Sequence, residues 1–203
     1  MIVEQLLRQA ASSAPSRRRF LTTTVGGALG LALMPLARAQ NAPKLSPGQN
    51  PTEQPVAFVS IAKDGTTTIL CNRMDMGQGI ETGLAMICAE ELEADWSKVV
   101  TGFGDQKGHY VDPAMGMHLT GGSNSIKNSY TQYRELGARL RAMLISAGSL
   151  QWGVPPAQLK AENGVVSGAG RIAPYGELFE AAIKLPVPEK VVLKDPKSFR
   201  LIG

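Results

Sequence analysis

Hydrophobic and polar residues become regularly spaced from residue 56 onward, and the first regular elements are predicted there. Residues 56–62 and 66–71 are β-prone runs, and Lys63-Asp64-Gly65 between them is typical of a hairpin turn. Residues 80–94 then place apolar side chains at helical spacing, which predicts an amphipathic helix. Residues 99–103 predict one more short strand.

A second, longer helix is predicted to begin at Ser123, whose side chain suits an N-cap, and to stop at Gly148. Its apolar stripe consists of Ile126, Tyr130, Tyr133, Leu136, Leu140, Met143 and Ala147. Charged residues on and beside both helices are expected to face solvent; they are Glu90, Glu91, Glu93, Asp95, Arg134, Arg139 and Arg141.

The remaining chain predicts a second hairpin in residues 160–167 and a short helix in residues 175–184. Residues 194–203 look extended, and we expect them to lead toward a further domain. Because strands and helices are mixed, the predicted fold class is α+β, with a mixed sheet, hairpins and two main amphipathic helices. Residues 56–203 are long enough to form one domain with its own core.

The N-terminus has the pattern of an export signal. Ser16-Arg17-Arg18-Arg19-Phe20-Leu21 fits the twin-arginine motif, and Ala37-Arg38-Ala39 fits a cleavage site. The apolar run between them, residues 21–34, is shorter than the ~20 residues of a membrane-spanning helix, which is the alternative interpretation. We therefore predict that residues 1–39 are a twin-arginine signal peptide and that the protein is periplasmic.

Composition changes after the signal. Residues 40–55 are rich in proline and predict a linker. The whole chain has a formal charge of +4, but residues 1–39 hold five arginines and one glutamate, so the rest is formally neutral. Such a chain lacks the basic face that nucleic-acid binding requires. Cys71 and Cys88 are expected to be buried hydrophobic residues, with a disulfide between them as the alternative.

Two short glycine turns precede the two long helices. The first glycine turn, residues 74–79, reads MDMGQG, and the second glycine turn, residues 120–125, reads TGGSNS. Glycines let the backbone approach a ligand closely, and helix N-termini direct free N–H groups toward phosphate. We therefore predict that the two turns form two walls of one site for an anionic cofactor.

The first glycine turn alone allows another interpretation. Its glycines resemble the G-x-G-x-x-G dinucleotide fingerprint, but Thr82 replaces the third glycine and Asp105 lies late for the acidic partner. An exported NAD(P)-dependent Rossmann-type oxidoreductase therefore stays open as an alternative. A non-catalytic exported interaction domain, in which both turns are structural, is the other. His109, His118 and the two cysteines form no convincing metal site.

Three motifs in order are more specific than either turn. MGQGIET at residues 76–82, AEELEADWSKV at residues 89–99 and TGGSNSI at residues 120–126 resemble the molybdenum-binding subunit of the xanthine dehydrogenase family. Within it the chain is similar to an exported branch that includes the beta subunits of isoquinoline 1-oxidoreductases and membrane-associated aldehyde dehydrogenases. The resemblance covers residues 56–203 and implies an N-terminal fragment of a longer subunit, with part of a molybdopterin-binding domain.

The resemblance implies a set of cofactor-binding residues in the two turns. They are Met76, Gly77, Gln78, Gly79, Gly121, Gly122, Ser123 and Ser125. Gln78 would bond the pterin or its phosphate. The implied cofactor is molybdopterin, in its cytosine dinucleotide form, with molybdenum held by the pterin dithiolene rather than by protein side chains. This chain departs from the family pattern at Asp75, where glutamate is commoner, and at His118, where glutamine is frequent.

The resemblance also implies an activity and partners. The family hydroxylates an aldehyde or an electron-poor N-heterocycle with oxygen derived from water, so the substrate is a small molecule. Electrons would pass to an iron–sulfur subunit with a 2Fe–2S cluster, and a membrane cytochrome c subunit is a further expected partner that would associate the protein with the membrane. The family's essential glutamate lies near the far C-terminus of a longer subunit, so no catalytic residue is assigned in this chain, which we expect to be inactive alone.

Overall fold

The computed structural model describes residues 51–105, 110–112 and 114–202. The helices are α1 (Pro55–Phe58), α2 (Ile80–Leu92), α3 (Ser125–Trp152) and α4 (Tyr175–Ala182), and the strands are β1 (Val59–Ile61), β2 (Thr67–Cys71), β3 (Val99–Phe103), β4 (Lys160–Glu162), β5 (Val165–Gly168) and β6 (Arg171–Pro174). The predicted signal peptide and all but the last residues of the predicted linker lie outside the described residues. Among the helices described, none is both long and apolar enough to cross a membrane.

The first sheet has the order β1-β2-β3 and is mixed. Strands β1 and β2 form the predicted antiparallel hairpin, whereas β2 and β3 run parallel and are joined through α2. The first glycine turn therefore follows the carboxyl end of a parallel strand, the usual place for a ligand in such a unit. The predicted strand over residues 56–62 begins late, because α1 starts with Pro55, whose fixed φ favours the first turn of a helix.

The second sheet has the order β4-β5-β6 and is antiparallel throughout. The hairpin of β4 and β5 was predicted from its Asn163-Gly164 turn, but β6 was not, because the turn before it begins with alanine, which is not a typical hairpin-turn residue. In that turn Ala169 (φ +48°) and Gly170 (φ +74°) both adopt the left-handed conformation. Helix α4 follows directly and packs against α3, and the hydroxyl of Tyr175 donates to the carbonyl of Leu92 (2.8 Å). The fold is α+β, as predicted.

The two long helices, α2 and α3, form the centre of the domain. A Cβ atom at Gly137 would lie 2.3 Å from the carbonyl oxygen of Cys88, so only glycine permits this close approach of the two helices. The predicted stripe of α3 is buried from Tyr133 to Ala147, but Ile126 is exposed. Helix α3 does not stop at Gly148; it continues to Trp152 and ends at Gly153, which adopts the left-handed conformation.

The expectation that the charged residues of these helices face solvent is wrong for most of them. Glu90, Glu91, Arg134 and Arg139 are buried, and Glu93, Asp95 and Arg141 are half-buried. Buried charge is tolerated only where it is paired and hydrogen-bonded. Here the partner is the C-terminal segment, residues 185–202, which lies against both helices.

Carboxylates of α2 hold the main chain of this C-terminal segment. Glu90 accepts hydrogen bonds from the N–H groups of Arg200 (2.8 Å) and Leu201 (2.5 Å), and Glu91 accepts from that of Lys194 (3.0 Å). The side chain of Arg134 donates to the carbonyl of Lys194 (2.6 Å). Residues 194–202 are extended as predicted, apart from a short 3₁₀ turn at Pro196–Ser198, but the contacts of the segment with α2 and α3 were not predicted.

Candidate cofactor-binding site

The first glycine turn folds around the carboxylate of Asp75. Its oxygens accept hydrogen bonds from the N–H groups of Glu81 (3.1 Å), Gly77 (2.8 Å) and Gly79 (3.3 Å). Those bonds, that of Glu81 first, hold the pKa of Asp75 below its ordinary value, since they favour the charged form. The expectation that this turn directs free N–H groups toward a ligand is therefore wrong for these three groups, because the chain's own carboxylate occupies them.

Gln78 closes the same turn from the other side. Its Oε1 accepts from the N–H of Met76 (2.5 Å), and its Nε2 donates to the carbonyl of Met74 (3.1 Å). Nε2 carries a second hydrogen, for which the described residues offer no acceptor. Gly77 (φ +95°) and Gly79 (φ +77°) adopt conformations that other residues enter only with strain.

The second glycine turn has a different character, because its donors stay free. Within the described part of the chain, the N–H groups of Gly121, Gly122 and Ser123 make no hydrogen bond, and neither do the hydroxyls of Ser123 and Ser125. Ser123 has a φ of +55°, a strained conformation that costs roughly 1–3 kcal/mol in a residue other than glycine. Contrary to the prediction, Ser123 is not the N-cap of α3; Asn124 occupies that position, without a side-chain capping bond.

The two turns meet, and a groove lies between them. The N–H of Met74 donates to Oγ1 of Thr120 (2.8 Å), which joins the first turn to the second. The groove has a volume of about 620 Å³ and is lined by Met76, Gln78, Gly79, Ile80, Gly83, Thr120, Gly121, Ser123, Ser125 and Ile126. Six of the eight predicted cofactor residues therefore line one groove. Gly77 and Gly122 shape the two turns but are not among its lining residues.

Sequence reasoning missed a buried ion pair behind these turns. The guanidinium of Arg73 donates to Oδ2 of Asp112 (2.6 Å), and both side chains are completely buried. It also donates to the carbonyl of Leu119 (2.9 Å) and, through Nε and Nη2, to Oγ of Ser129 (3.1 and 2.8 Å). Arg73 directly precedes the first glycine turn and Leu119 directly precedes the second, so one side chain is bonded beside both.

One face of α3 completes this network. The Tyr133 hydroxyl accepts from the N–H of Asn72 (2.9 Å) and donates to the carbonyl of Leu70 (3.0 Å), which fixes the end of β2. Asn128 donates from Nδ2 to Asp112 (3.0 Å). Ser129 and Tyr133 are four residues apart and therefore lie on one face of the helix, and this spacing is the signal in the sequence that could have indicated the polar face.

The cysteines and histidines contribute no metal site in the residues described. Both cysteines are buried and free, as predicted, and burial raises the pKa of the Cys71 thiol to about 12, so the thiol stays protonated. His118 lies beside Cys71 and Arg73 in a separate pocket of about 220 Å³. His109 lies outside the described residues. No group of three His, Cys, Asp or Glu residues in the described chain could hold a metal ion.

A comparison with known protein families finds a match over most of the chain. The model of the molybdopterin cofactor-binding domain matches residues 8–200. The chain belongs to the molybdopterin cofactor-binding domain family. The predicted resemblance to molybdenum-binding subunits is thereby confirmed.

Several relatives are similar over most of this chain. The membrane-bound aldehyde dehydrogenase (pyrroloquinoline-quinone) of Gluconacetobacter polyoxogenes is 33% identical over 199 residues, which are 93% of this chain and 25% of that protein. The beta chain of isoquinoline 1-oxidoreductase from Brevundimonas diminuta is 32% identical over 180 residues, 84% of this chain and 22% of that protein. A nicotinate dehydrogenase component from Pseudomonas putida is 29% identical over 148 residues, 72% of this chain and 12% of that protein.

A solved structure, that of quinoline 2-oxidoreductase from Pseudomonas putida 86, matches with a TM-score of 0.45 and 21% identity, covering 71% of this chain and 17% of that one. The present chain thus spans a quarter or less of the length of each of these proteins.

Proposed function

We propose that this chain forms one wall of a molybdopterin site in a molybdenum hydroxylase. The observation that carries the proposal is the groove between the two glycine turns, in which six residues singled out from the sequence lie together. Family membership supports this interpretation over the Rossmann-type and non-catalytic alternatives.

The residues of the groove fit a pterin and its phosphate. The available donors are neutral: the N–H groups of the second glycine turn, the Ser123 and Ser125 hydroxyls and the second hydrogen of Gln78 Nε2. Neutral donors can bind phosphate and pterin edges without bringing a counter-charge into the groove. No lining side chain is acidic, and the carboxylate of Asp75 in the first turn is bonded to three N–H groups of that turn. Cβ atoms at Gly79 and Gly121 would meet nothing within 4 Å, so space for a ligand lies beside the backbone at both positions.

The division of roles between the two turns follows from their bonding. The first glycine turn is held rigid by Asp75 and Gln78, and it presents side chains, above all Met76, which is 72% exposed. The second glycine turn presents backbone N–H groups and hydroxyls. We infer that the first turn positions the pterin by packing and the Gln78 amide, while the second turn binds the phosphate part.

The finer features of the proposal rest on the names of the relatives for the substrate class and on the sequence resemblance for the rest. When bound, the molybdenum cofactor supplies hydroxylation of an electrophilic carbon with oxygen from water. Aldehydes and N-heterocycles are the proposed substrate classes, since the names of the relatives include an aldehyde dehydrogenase and an isoquinoline oxidoreductase. We also propose the cytosine dinucleotide form of the cofactor, a 2Fe–2S partner subunit, a membrane cytochrome c subunit, and export to the periplasm through residues 1–39.

The name of one relative includes pyrroloquinoline quinone. The residues that line the groove can be compared with the needs of this quinone and of molybdopterin. That quinone carries three carboxylates, which favour guanidinium or ammonium partners. Neither Lys nor Arg lines the groove, whereas free main-chain N–H groups, which suit a phosphate, lie in its second turn; this combination favours molybdopterin.

The test is the cofactor content of the protein produced from its complete coding region together with its partner subunits. We expect Gly121→Val to abolish bound molybdenum and pterin while the fold is kept, because the residue lines the groove and its Cβ atom would have no protein atom within 4 Å. Gly122→Val should have the same effect but adds backbone strain, since Gly122 has a φ of +61°.

A matched control separates strain from blockage of the site. Gly170 has a similar φ of +74° and equally open surroundings, but it lies in the β5–β6 turn. Gly170→Val should lower stability and leave the molybdenum content unchanged. Release of a quinone instead of a pterin from the wild-type protein, or full molybdenum content in Gly121→Val, would overturn the proposal.

A further inference from the structure

We infer that Arg73 and Asp112 are positioning residues that set the distance between the two glycine turns, and that cofactor loading depends on this distance. The inference rests on the proposed function. It concerns residues that lie behind the groove and do not line it.

The bonding pattern of Arg73 is the first step. A guanidinium has five N–H donors in a fixed plane, and four hydrogen bonds to three different segments are made here. The segments are the Asp112 loop, the main chain directly before the second glycine turn, and the first turns of α3. Arg73 itself ends the connection from β2 to the first glycine turn. A single rigid group thus fixes both turns to the same helix.

The carboxylate of Asp112, which accepts from Arg73, is equally constrained. The Oδ1 atom of Asp112 accepts from the N–H groups of Ala114 (2.7 Å) and Met115 (3.0 Å), while Asn128 bonds both carboxylate oxygens. Asp112 therefore ties the loop before the second glycine turn to both Arg73 and α3. Because this loop has no strand or helix of its own in residues 114–119, these bonds and the Arg73 contact to Leu119 position the start of the second turn, together with the Met74 bond to Thr120.

If the Arg73–Asp112 pair only stabilised the fold, breaking any comparable buried ion pair should have the same effect on the turns. The chain offers a matched control for this alternative. Glu91 and Arg134 form another buried ion pair with the same separation of 2.6 Å, but it faces the C-terminal segment instead of the groove. Glu91→Gln should therefore lower stability as Asp112→Asn does. Only Asp112→Asn should change the distance between the turns.

The direct test measures that distance by electron spin resonance between two nitroxide labels. Met74→Cys and Met117→Cys place labels at exposed positions in the first turn and in the loop that leads into the second turn, and neither residue lines the groove. The native cysteines are buried. We expect a narrow distance distribution in this background and in Glu91→Gln, and a broad one in Asp112→Asn. Equal widths in all three would overturn the inference.

Cofactor loading is measured on the protein from the complete coding region, as molybdenum and pterin per mole of folded protein. We expect a decrease of about tenfold in Asp112→Asn, comparable to the loss of one charge-assisted hydrogen bond, and none in Glu91→Gln. Ser129→Ala is a milder second variant, which removes two bonds to Arg73 without leaving a carboxylate unpaired, and it should decrease loading in the same direction.

The outcomes distinguish the two proposals. A wild-type protein without molybdenum would overturn the proposed function. Two results with a loaded wild type would overturn only the positioning role of the pair. One is a molybdenum content in Asp112→Asn and Ser129→Ala equal to that of the wild type. The other is a decrease in Glu91→Gln as large as that in Asp112→Asn.

Discussion

Glu91 of α2 and Arg134 of α3 form an ion pair with an N–O distance of 2.6 Å at the junction of the two long helices and the C-terminal segment. The Glu91 side chain is completely buried, and its two oxygens share a bifurcated hydrogen bond from the N–H of Lys194. Arg134 donates to the carbonyl of the same residue. The pair therefore binds both the N–H and the carbonyl of Lys194. Its contribution to the stability of the domain thus includes these main-chain hydrogen bonds as well as the attraction between two charges.

Glu91→Gln should destabilise the domain by about 3–5 kcal/mol, because it leaves the buried Arg134 without its counter-charge. Urea unfolding followed by circular dichroism measures this change. Glu162→Gln is the control, since its ion pair with Lys160 is largely exposed and should contribute less than about 1 kcal/mol. Equal effects of the two substitutions would contradict the structural role of the Glu91 carboxylate.

Stability should fall in acid through Asp112. Burial alone raises the pKa of this carboxyl, but hydrogen bonds from Asn128 and Arg73 and the charge of Arg73 outweigh burial, so the pKa lies below its ordinary value. A lowered pKa contributes stability above the unfolded value of about 3.9, and this contribution is lost as the pH falls through the folded value. Glu90, whose pKa is also lowered, adds to the effect.

The measurement is the free energy of unfolding in urea between pH 7 and pH 2.5. We expect a steep decrease below about pH 4 in the wild type and a shallower one in Asp112→Asn, which has no carboxyl to titrate at this position. The same slope in both proteins would show that Asp112 does not carry the acid dependence.

Local patterns and long-range pairs differ in how well the sequence predicts them. The hairpin of β1 and β2, helix α2 and strand β3 follow from the spacing of neighbouring residues, and the structure has all of them. The burial of Glu90 and Glu91 was mispredicted because their partners, at Lys194 and Arg200, lie more than a hundred positions away. A glutamate on a helix looks like a solvated residue until its distant partner is known.

The candidate site shows the same division. Glycine and serine in short turns before helices indicated where the groove lies, because backbone conformation is encoded locally, while the family resemblance implied which residues line it. The occupation of the first-turn N–H groups by Asp75 could not be read from the motif, since an aspartate beside glycines also suits a solvated loop. Arg73 and Asp112 escaped notice for a related reason: each is a single charged residue beside a loop, and only the fold brings them to 2.6 Å.

Gln78→Ala should weaken cofactor binding through two effects. It removes a donor to the ligand, and it also removes the bonds that close the first glycine turn on Met76 and Met74. We expect about a tenfold or larger decrease in bound molybdenum in the complete protein. Gln78→Glu is the informative comparison, because it keeps the acceptor for Met76 but brings a negative charge beside the proposed phosphate. Normal molybdenum content in both variants would assign the turn a structural role only.

Export is tested by replacing the twin arginines. Changing Arg17, Arg18 and Arg19 together to lysine should leave the precursor in the cytoplasm, because guanidinium groups present planar donors that an ammonium group lacks. Fractionation of cells and immunoblotting measure this outcome, and the Arg8→Lys variant is the control, since Arg8 lies outside the twin-arginine motif. An unchanged periplasmic yield of the triple variant would contradict the proposed route.

Gly137→Ala should destabilise the domain although alanine is the better helix former by about 1 kcal/mol. Its Cβ atom would lie 2.3 Å from the carbonyl oxygen of Cys88 and 2.9 Å from the backbone N of Leu92. Backbone atoms cannot rotate away, so α2 and α3 must separate, and overpacking of this kind costs roughly 1–3 kcal/mol. Gly83→Ala is the matched control on α2, since its Cβ would be 3.4 Å from a side-chain carbon of Ile126, an ordinary contact. Thermal unfolding should therefore show a lower melting temperature for Gly137→Ala and an unchanged or higher one for Gly83→Ala. A Gly137→Ala variant as stable as the wild type would mean that the two helices are not packed as closely as this structure places them.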